Sequence, residues 1–170
     1  PAGRGERNAG VAIAAGEAHS LALKRDGTVA GWGSNDHGQS APPPGLSNVV
    51  AIAAGSLHSL ALKSDGTVVG WGNNWQGAAT PPPGLTGVVA IAAGEGFSLA
   101  LRSDGRVVGW GYDVLDQATP PWDLTNVVAI AAGAVEGLGF GHNTRAMLIT
   151  RGIAEVVRLS LARGGEALTL

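Results

Sequence analysis

Trp32, Trp71 and Trp110 stand 39 residues apart, and so do Gly16, Gly55, Gly94 and Gly133. Around them RDGTVAGWG (25–33), SDGTVVGWG (64–72) and SDGRVVGWG (103–111) are near copies, and residues 11–49 match 50–88 at about 27 of 39 positions. A fixed period of this length dictates a repeat architecture. A unit so short cannot bury its own apolar face, so its neighbours must do so.

Within a unit, VVAIAAG (49–55) is a run of small and β-branched residues that reads as a strand packed on both faces. HSLALKS (58–64) alternates Leu60 and Leu62 against Ser59, Ala61 and Lys63, a period of two that reads as a second strand. Asp65-Gly66 then predicts a type I′ hairpin turn, with positive φ at both central residues, and TVVGWG is the return strand. The TPPPGL stretch cannot donate to a ladder and reads as extended connection. Each unit is therefore three antiparallel strands, with room for a short fourth. A blade-sized unit of this kind gives an all-β class, a β-propeller or partial propeller.

The boundaries that follow are 1–10 as a connection, 11–49, 50–88 and 89–126 as three blades, and 127–170 as a degenerate fourth blade with a C-terminal cap. Only two Phe and one Tyr accompany five Trp, so tryptophan must carry much of the large apolar surface. Trp32, Trp71 and Trp110 are expected between blades, each removing roughly 150–250 Å² from water.

The pattern AxAAGxxHSLALKxDGTVxGWGxN, at residues 12–35 and again at 51–74, resembles the repeat of the regulator of chromosome condensation family. The short period is most similar to the compact bacterial branch, which includes a secreted β-lactamase inhibitor protein. The resemblance implies a propeller acting through protein-binding surfaces, and a secreted or cell-surface location. One eukaryotic member is a nucleotide exchange factor for a small GTPase, which makes an exchange-type regulator a third reading. Family members usually close seven blades, whereas this sequence carries three clear units and a worn fourth. After VVAIAAG (127–133) no Asp-Gly or Trp-Gly recurs. MLITRGIAEVV reads as a worn hairpin around Arg151-Gly152 or as a helix over 152–162, and Gly164-Gly165 as a turn. Gly139 and His142 repeat the Gly-x-x-His spacing. Arg145, Arg151, Arg158 and Arg163 gather in this segment. Unpaired blade edges recruit other chains. The expected partners are thus an unknown protein, and a second copy or additional blades, with no stable monomer.

His19-Ser20 and His58-Ser59 place a base beside a nucleophile, but neighbouring side chains on a strand point to opposite faces. The third unit has Phe97-Ser98. A structural His bonded to a backbone group is expected, not catalysis. Asp26, Asp65 and Asp104 recur once per unit, as turn chemistry requires, and the tandem calcium-binding nonapeptide is absent. Zero Cys excludes thiolate zinc and disulfides. No Walker or dinucleotide loop predicts a cofactor. A net charge of −2 without a basic run disfavours nucleic acid. No apolar run is long enough to span a membrane.

Function then has to lie in what varies between copies. The loops after Trp-Gly read SNDHGQSA, NNWQGAAT and YDVLDQAT, aligning Asp36 with Trp75 and Val114, His37 with Gln76 and Leu115, and Ser34 with Asn73 and Tyr112. Aromatic and charged groups on one rim are typical of interface hot spots. The candidate partner-binding residues are Asp36, His37, Trp75, Gln76, Tyr112, Asp113 and Leu115, with Glu17 and Glu95 from the turn before the His position. The expectation is a non-enzymatic protein-binding module. The alternative is a structural protein that assembles through open blade edges.

Overall fold

The computed structural model describes residues 12–133 and the backbone of residues 146–150. The connection at 1–10 and the readings placed at 139–145 and 151–170 lie outside the described residues. Three units each form a three-stranded antiparallel sheet: β1 (Ala12–Ala15), β2 (His19–Leu23) and β3 (Val29–Gly33); β4 (Val49–Ala54), β5 (His58–Lys63) and β6 (Val68–Gly72); β7 (Val88–Ala93), β8 (Phe97–Arg102) and β9 (Val107–Gly111). β10 (Val127–Ala132) pairs with β11 (Ala146–Thr150). Among the described residues the proline stretches form no strand, so the sheets stop at three.

The first strands of the four sheets converge. Their ends, Ala15 to Glu17, Ala54 to Ser56, Ala93-Gly94 and Ala132-Gly133, line one cleft. The sheets therefore stack as blades about a common axis, with the Trp-bearing strands outermost. This arrangement reverses two sequence expectations. The alternating strand, not the Ala-rich one, is buried on both faces: β5 and β8 are buried over five successive residues. As middle strands of flanked blades they have a neighbour on each side. β4 and β7 line the axial cleft and stay half-open. β2, in the first blade, keeps the alternation because only one face is covered.

Apolar packing between blades is repeated. Leu21 and Leu23 of the first blade meet Val49, Ala61 and Trp71 of the second. Leu60 and Leu62 of the second meet Val88, Ala100 and Trp110 of the third. Phe97, Leu99 and Ala92 pack with Ala118, Ile130 and Ala132 at the third junction. Trp71 and Trp110 are buried, but Trp32 is 51% exposed and Ile13 74% exposed. The expectation of an inter-blade Trp32 is thus corrected: its face of the first blade has no neighbouring blade among the described residues.

The β2–β3 turn also differs from type I′. Gly27 has φ 76°, whereas Asp26 is not among the residues with positive φ. Gly27 N–H donates to the Lys24 carbonyl and Lys24 N–H to the Thr28 carbonyl. That is a type I turn closed by a glycine bulge. Asp26 accepts from the Thr28 amide and hydroxyl at 3.0 and 2.6 Å, and Asp65 does the same with Thr67. Asp104 accepts from the Arg106 amide and pairs with Arg102 at 3.5 Å. The turn glycines then hold the next blade, since Val49 N–H donates to the Gly27 carbonyl and Val127 N–H to the Gly105 carbonyl.

Candidate functional site

At one end of each blade the turn after the first strand and the loop after the third lie side by side. Ser34, Asn73 and Tyr112 donate their amides to the carbonyls of Ala18, Leu57 and Gly96. The opposite end carries the Asp-Gly turns, which the proline connections reach only at their far ends, at Val49 and Val127. Within each of the three blades, the turn and the loop singled out from the sequence thus adjoin at the same end.

Beneath that rim each blade grips the one before it through a polar network. His19 Nε2 lies 2.9 Å from Ser59 Oγ, and His58 Nε2 lies 2.9 Å from Ser98 Oγ. Ser59 Oγ and Trp71 Nε1 both donate to the Gln39 carbonyl, at 2.8 and 2.9 Å. Ser98 Oγ and Trp110 Nε1 do the same to the Ala78 carbonyl, both at 2.9 Å. Because the serine hydrogen is committed to a carbonyl, the histidine must be the donor, which fixes the Nε2–H tautomer. The expectation of a histidine bonded to backbone is corrected here: its partner is the serine of the next blade, 40 residues on. No nucleophile is activated, because the serine hydroxyl points its proton away from the base.

Burial holds the histidines neutral. It lowers the His58 pKa to about 4, with a smaller push from the charge of His19, and it lowers that of His19 as well. His19 Nδ1 is buried without a partner, so a proton there would have nothing to bond. At the third junction Phe97 replaces the histidine, and Ala146 stands opposite Ala132 where Ser59 stands opposite Ala54 and Ser98 opposite Ala93. The histidine is absent where its acceptor is absent.

The rim loops are stiffened from within. Asn35 Oδ1, Asn74 Oδ1 and Asp113 Oδ1 accept the amides of Ser40, Ala79 and Ala118. Asp113 Oδ2 also takes the Thr119 hydroxyl at 2.5 Å, so this carboxylate braces its own loop. In the second blade Asn73 Oδ1 accepts the Trp75 amide at 2.7 Å, and Gln76 sits at φ 62° in a 3-10 turn spanning Trp75–Gly77. The result is a fixed turn that presents Trp75 at 84% exposure.

A groove of about 400 Å³ runs between the second and third blades. Trp75, Gln76, Tyr112 and Glu95 line it together with Leu57, Asn73 and the buried His58. His37 lines an adjoining cleft with Leu57 and Trp75. Glu17 lies at the axial cleft instead. Asp36 and Leu115 are exposed but border neither groove. Asn73, aligned above with Tyr112, lines the groove as well, whereas Leu57 and Trp122, the latter 96% exposed in the third proline connection, were not among the candidates. Comparing PPPGL with PPWDL would have exposed Trp122. Among the described residues no group of three or more His, Asp or Glu stands ready to hold a metal. No helix there is long and apolar enough to cross a membrane.

Comparison with known proteins gives two likenesses. The C-terminal stretch, residues 123–170, matches the NAD-dependent glycerol-3-phosphate dehydrogenase C-terminus. The glycerol-3-phosphate dehydrogenase (NAD(P)+) of Nitrosococcus oceani is 66% identical over 35 residues, which is 21% of this chain and 10% of that protein. That of Desulfitobacterium hafniense is 65% identical over 34 residues, 20% of this chain and 10% of that protein. This match overlaps the segment read above as a worn fourth blade, and most of it lies outside the described residues.

Solved structures match the repeats. Prp20p of Saccharomyces cerevisiae, whose structure was reported with its binding properties to Gsp1p and histones, aligns at TM-score 0.58 and 27% identity, covering 69% of this chain and 34% of that one. A chain in the crystal structure of Kap60 bound to yeast RCC1 (Prp20) aligns at TM-score 0.63 and 24% identity, covering 75% and 40%. The ectodomain of the Physcomitrella patens receptor kinase CR4 aligns at TM-score 0.58 and 22% identity, covering 73% and 33%. The chain thus spans 33–40% of the length of these solved chains. The regulator of chromosome condensation (RCC1) repeat matches three times, at residues 11–39, 49–77 and 88–117. With more than half of its residues in those three repeats, the chain belongs to the RCC1 repeat family.

Proposed function

We propose that the repeats form a non-enzymatic protein-binding module whose working surface is the loop rim, centred on the groove between the second and third blades. The observation that carries this reading is Trp75, an exposed indole held on a turn braced by Asn73 and Asn74 beside a concave surface. An ordered loop has little freedom left to lose on binding, which lowers the entropic cost of association. That Prp20p is described with binding properties to Gsp1p and histones supports protein binding for this fold, not those partners for this chain. The test is capture of binding proteins by the immobilised chain, compared with Trp75→Ala and Trp122→Ala. A partner lost with Trp75→Ala and kept with Trp122→Ala supports the rim; the reverse pattern defeats it.

A second reading rests on Ile13 and Trp32. Their exposure leaves one face of the first blade apolar and open, a surface for another blade or a second copy. Both readings concern the repeats and do not extend to the dehydrogenase-like stretch at 123–170.

A further inference from the structure

The charges of the described residues are sorted by face. Lys24, Arg25, Lys63, Arg102 and Arg106 all lie at the Asp-Gly turn end of the blades, beside Asp26, Asp65 and Asp104, which offset them. The rim end carries Glu17, Asp36, Glu95, Asp113 and Asp116, and no Lys or Arg among the described residues. Such one-signed surfaces attract the opposite charge and orient it on approach. Within this acidic rim the groove joins two aromatic rings, Trp75 and Tyr112, to the carboxylate-bearing Glu95. An aromatic face attracts a cation, and the attraction grows as water is excluded.

We infer that the groove takes a segment of a partner protein presenting a Lys or Arg side chain, seated against Trp75 and Tyr112 beside Glu95. The inference rests on the rim reading above and adds the chemistry of the occupant. Aromatics alone would accept any apolar residue. Confinement of the described cations to the opposite face selects a basic segment over an acidic or neutral one. Tyr112 has a second effect. In the first blade Gln39 Nε2 donates to Ser34 Oγ at 3.1 Å, whereas Tyr112 replaces that serine and leaves Gln117 Nε2 buried and unpartnered. The third blade thus gives up a loop hydrogen bond and carries an aromatic ring in the groove instead.

The test is selection from a random twelve-residue peptide library against the full chain, without bias in charge. The expected result is enrichment of Lys- or Arg-containing peptides whose affinity falls tenfold or more with Trp75→Ala and severalfold with Glu95→Gln, and weakens as salt is raised. Unchanged thermal unfolding of both variants guards against misfolding. Peptides that lose affinity with Trp75→Ala but show no basic enrichment overturn this inference and leave the rim reading standing. Peptides indifferent to Trp75→Ala, or no binders at all, overturn both.

Discussion

Replacing His58 with phenylalanine, the residue the third blade already uses at the equivalent Phe97, should make the protein less sensitive to acid. His58 is 1% exposed and stays neutral in the folded state down to about pH 4, against 6.5 for a free imidazole. The unfolded chain therefore takes up a proton that the folded one resists. The stability contributed by neutral His58 is complete above pH 6.5 and drains away as the pH falls toward 4. Linkage puts the loss between about pH 7.5 and about pH 4.5 at about 2.5 kcal/mol from this residue alone. That window lies above the range where Asp65 titrates, its pKa being lowered to about 2 chiefly by the Thr67 hydroxyl. His58→Phe removes the proton site and one hydrogen bond to Ser98, whose hydroxyl still donates to the Ala78 carbonyl. The variant should lose about 1 kcal/mol near neutrality, the usual net worth of one hydrogen bond. Urea unfolding at both pH values gives the difference directly. If His58→Phe retains the full wild-type drop in stability, burial of a neutral His58 is not what makes the blades acid-sensitive.

Trp71→Ala should cost about 3–5 kcal/mol in chemical denaturation, as for other buried aromatics, while the exposed Trp75 should cost well under 1 kcal/mol. Trp32→Ala should fall between them, because half of its surface is already in water. Gly70→Ala should destabilise by at least about 2 kcal/mol, since its Cβ would run into the Ala79 backbone, which cannot swing aside. The carboxyl of Asp65 should titrate near pH 2 by NMR, and Thr67→Val should raise its midpoint toward the ordinary carboxylate range.

The sequence made the blades legible because period and alternation are backbone properties, repeated three times with little noise. It left the contacts between blades obscure. His19 and Ser59 are 40 residues apart and meet only because successive sheets stack, which no reading of the adjacent pair His19-Ser20 could show. The loop alignment pointed to Trp75 and Tyr112, and the turn before the histidine position to Glu95; the three line one groove because equivalent positions of neighbouring blades lie at the same end. The carboxylate of Asp113 is engaged by its own loop, and Leu57 enters the groove only through the fold. The repeat code breaks after Gly133, inside the stretch at 123–170 that matches the dehydrogenase C-terminus. The missing Asp-Gly and Trp-Gly and the clustered arginines were the available signals of that change.

A hydroxyl-radical footprint of the full chain, free and bound to a selected peptide, addresses the partner surface most directly. Protection concentrated on Trp75 and Tyr112, with Trp122 and Trp32 unchanged, is the predicted result. Protection at Trp122 in the third proline connection, or at Trp32 and Ile13 on the open side of the first blade, with Trp75 still reactive, would contradict it.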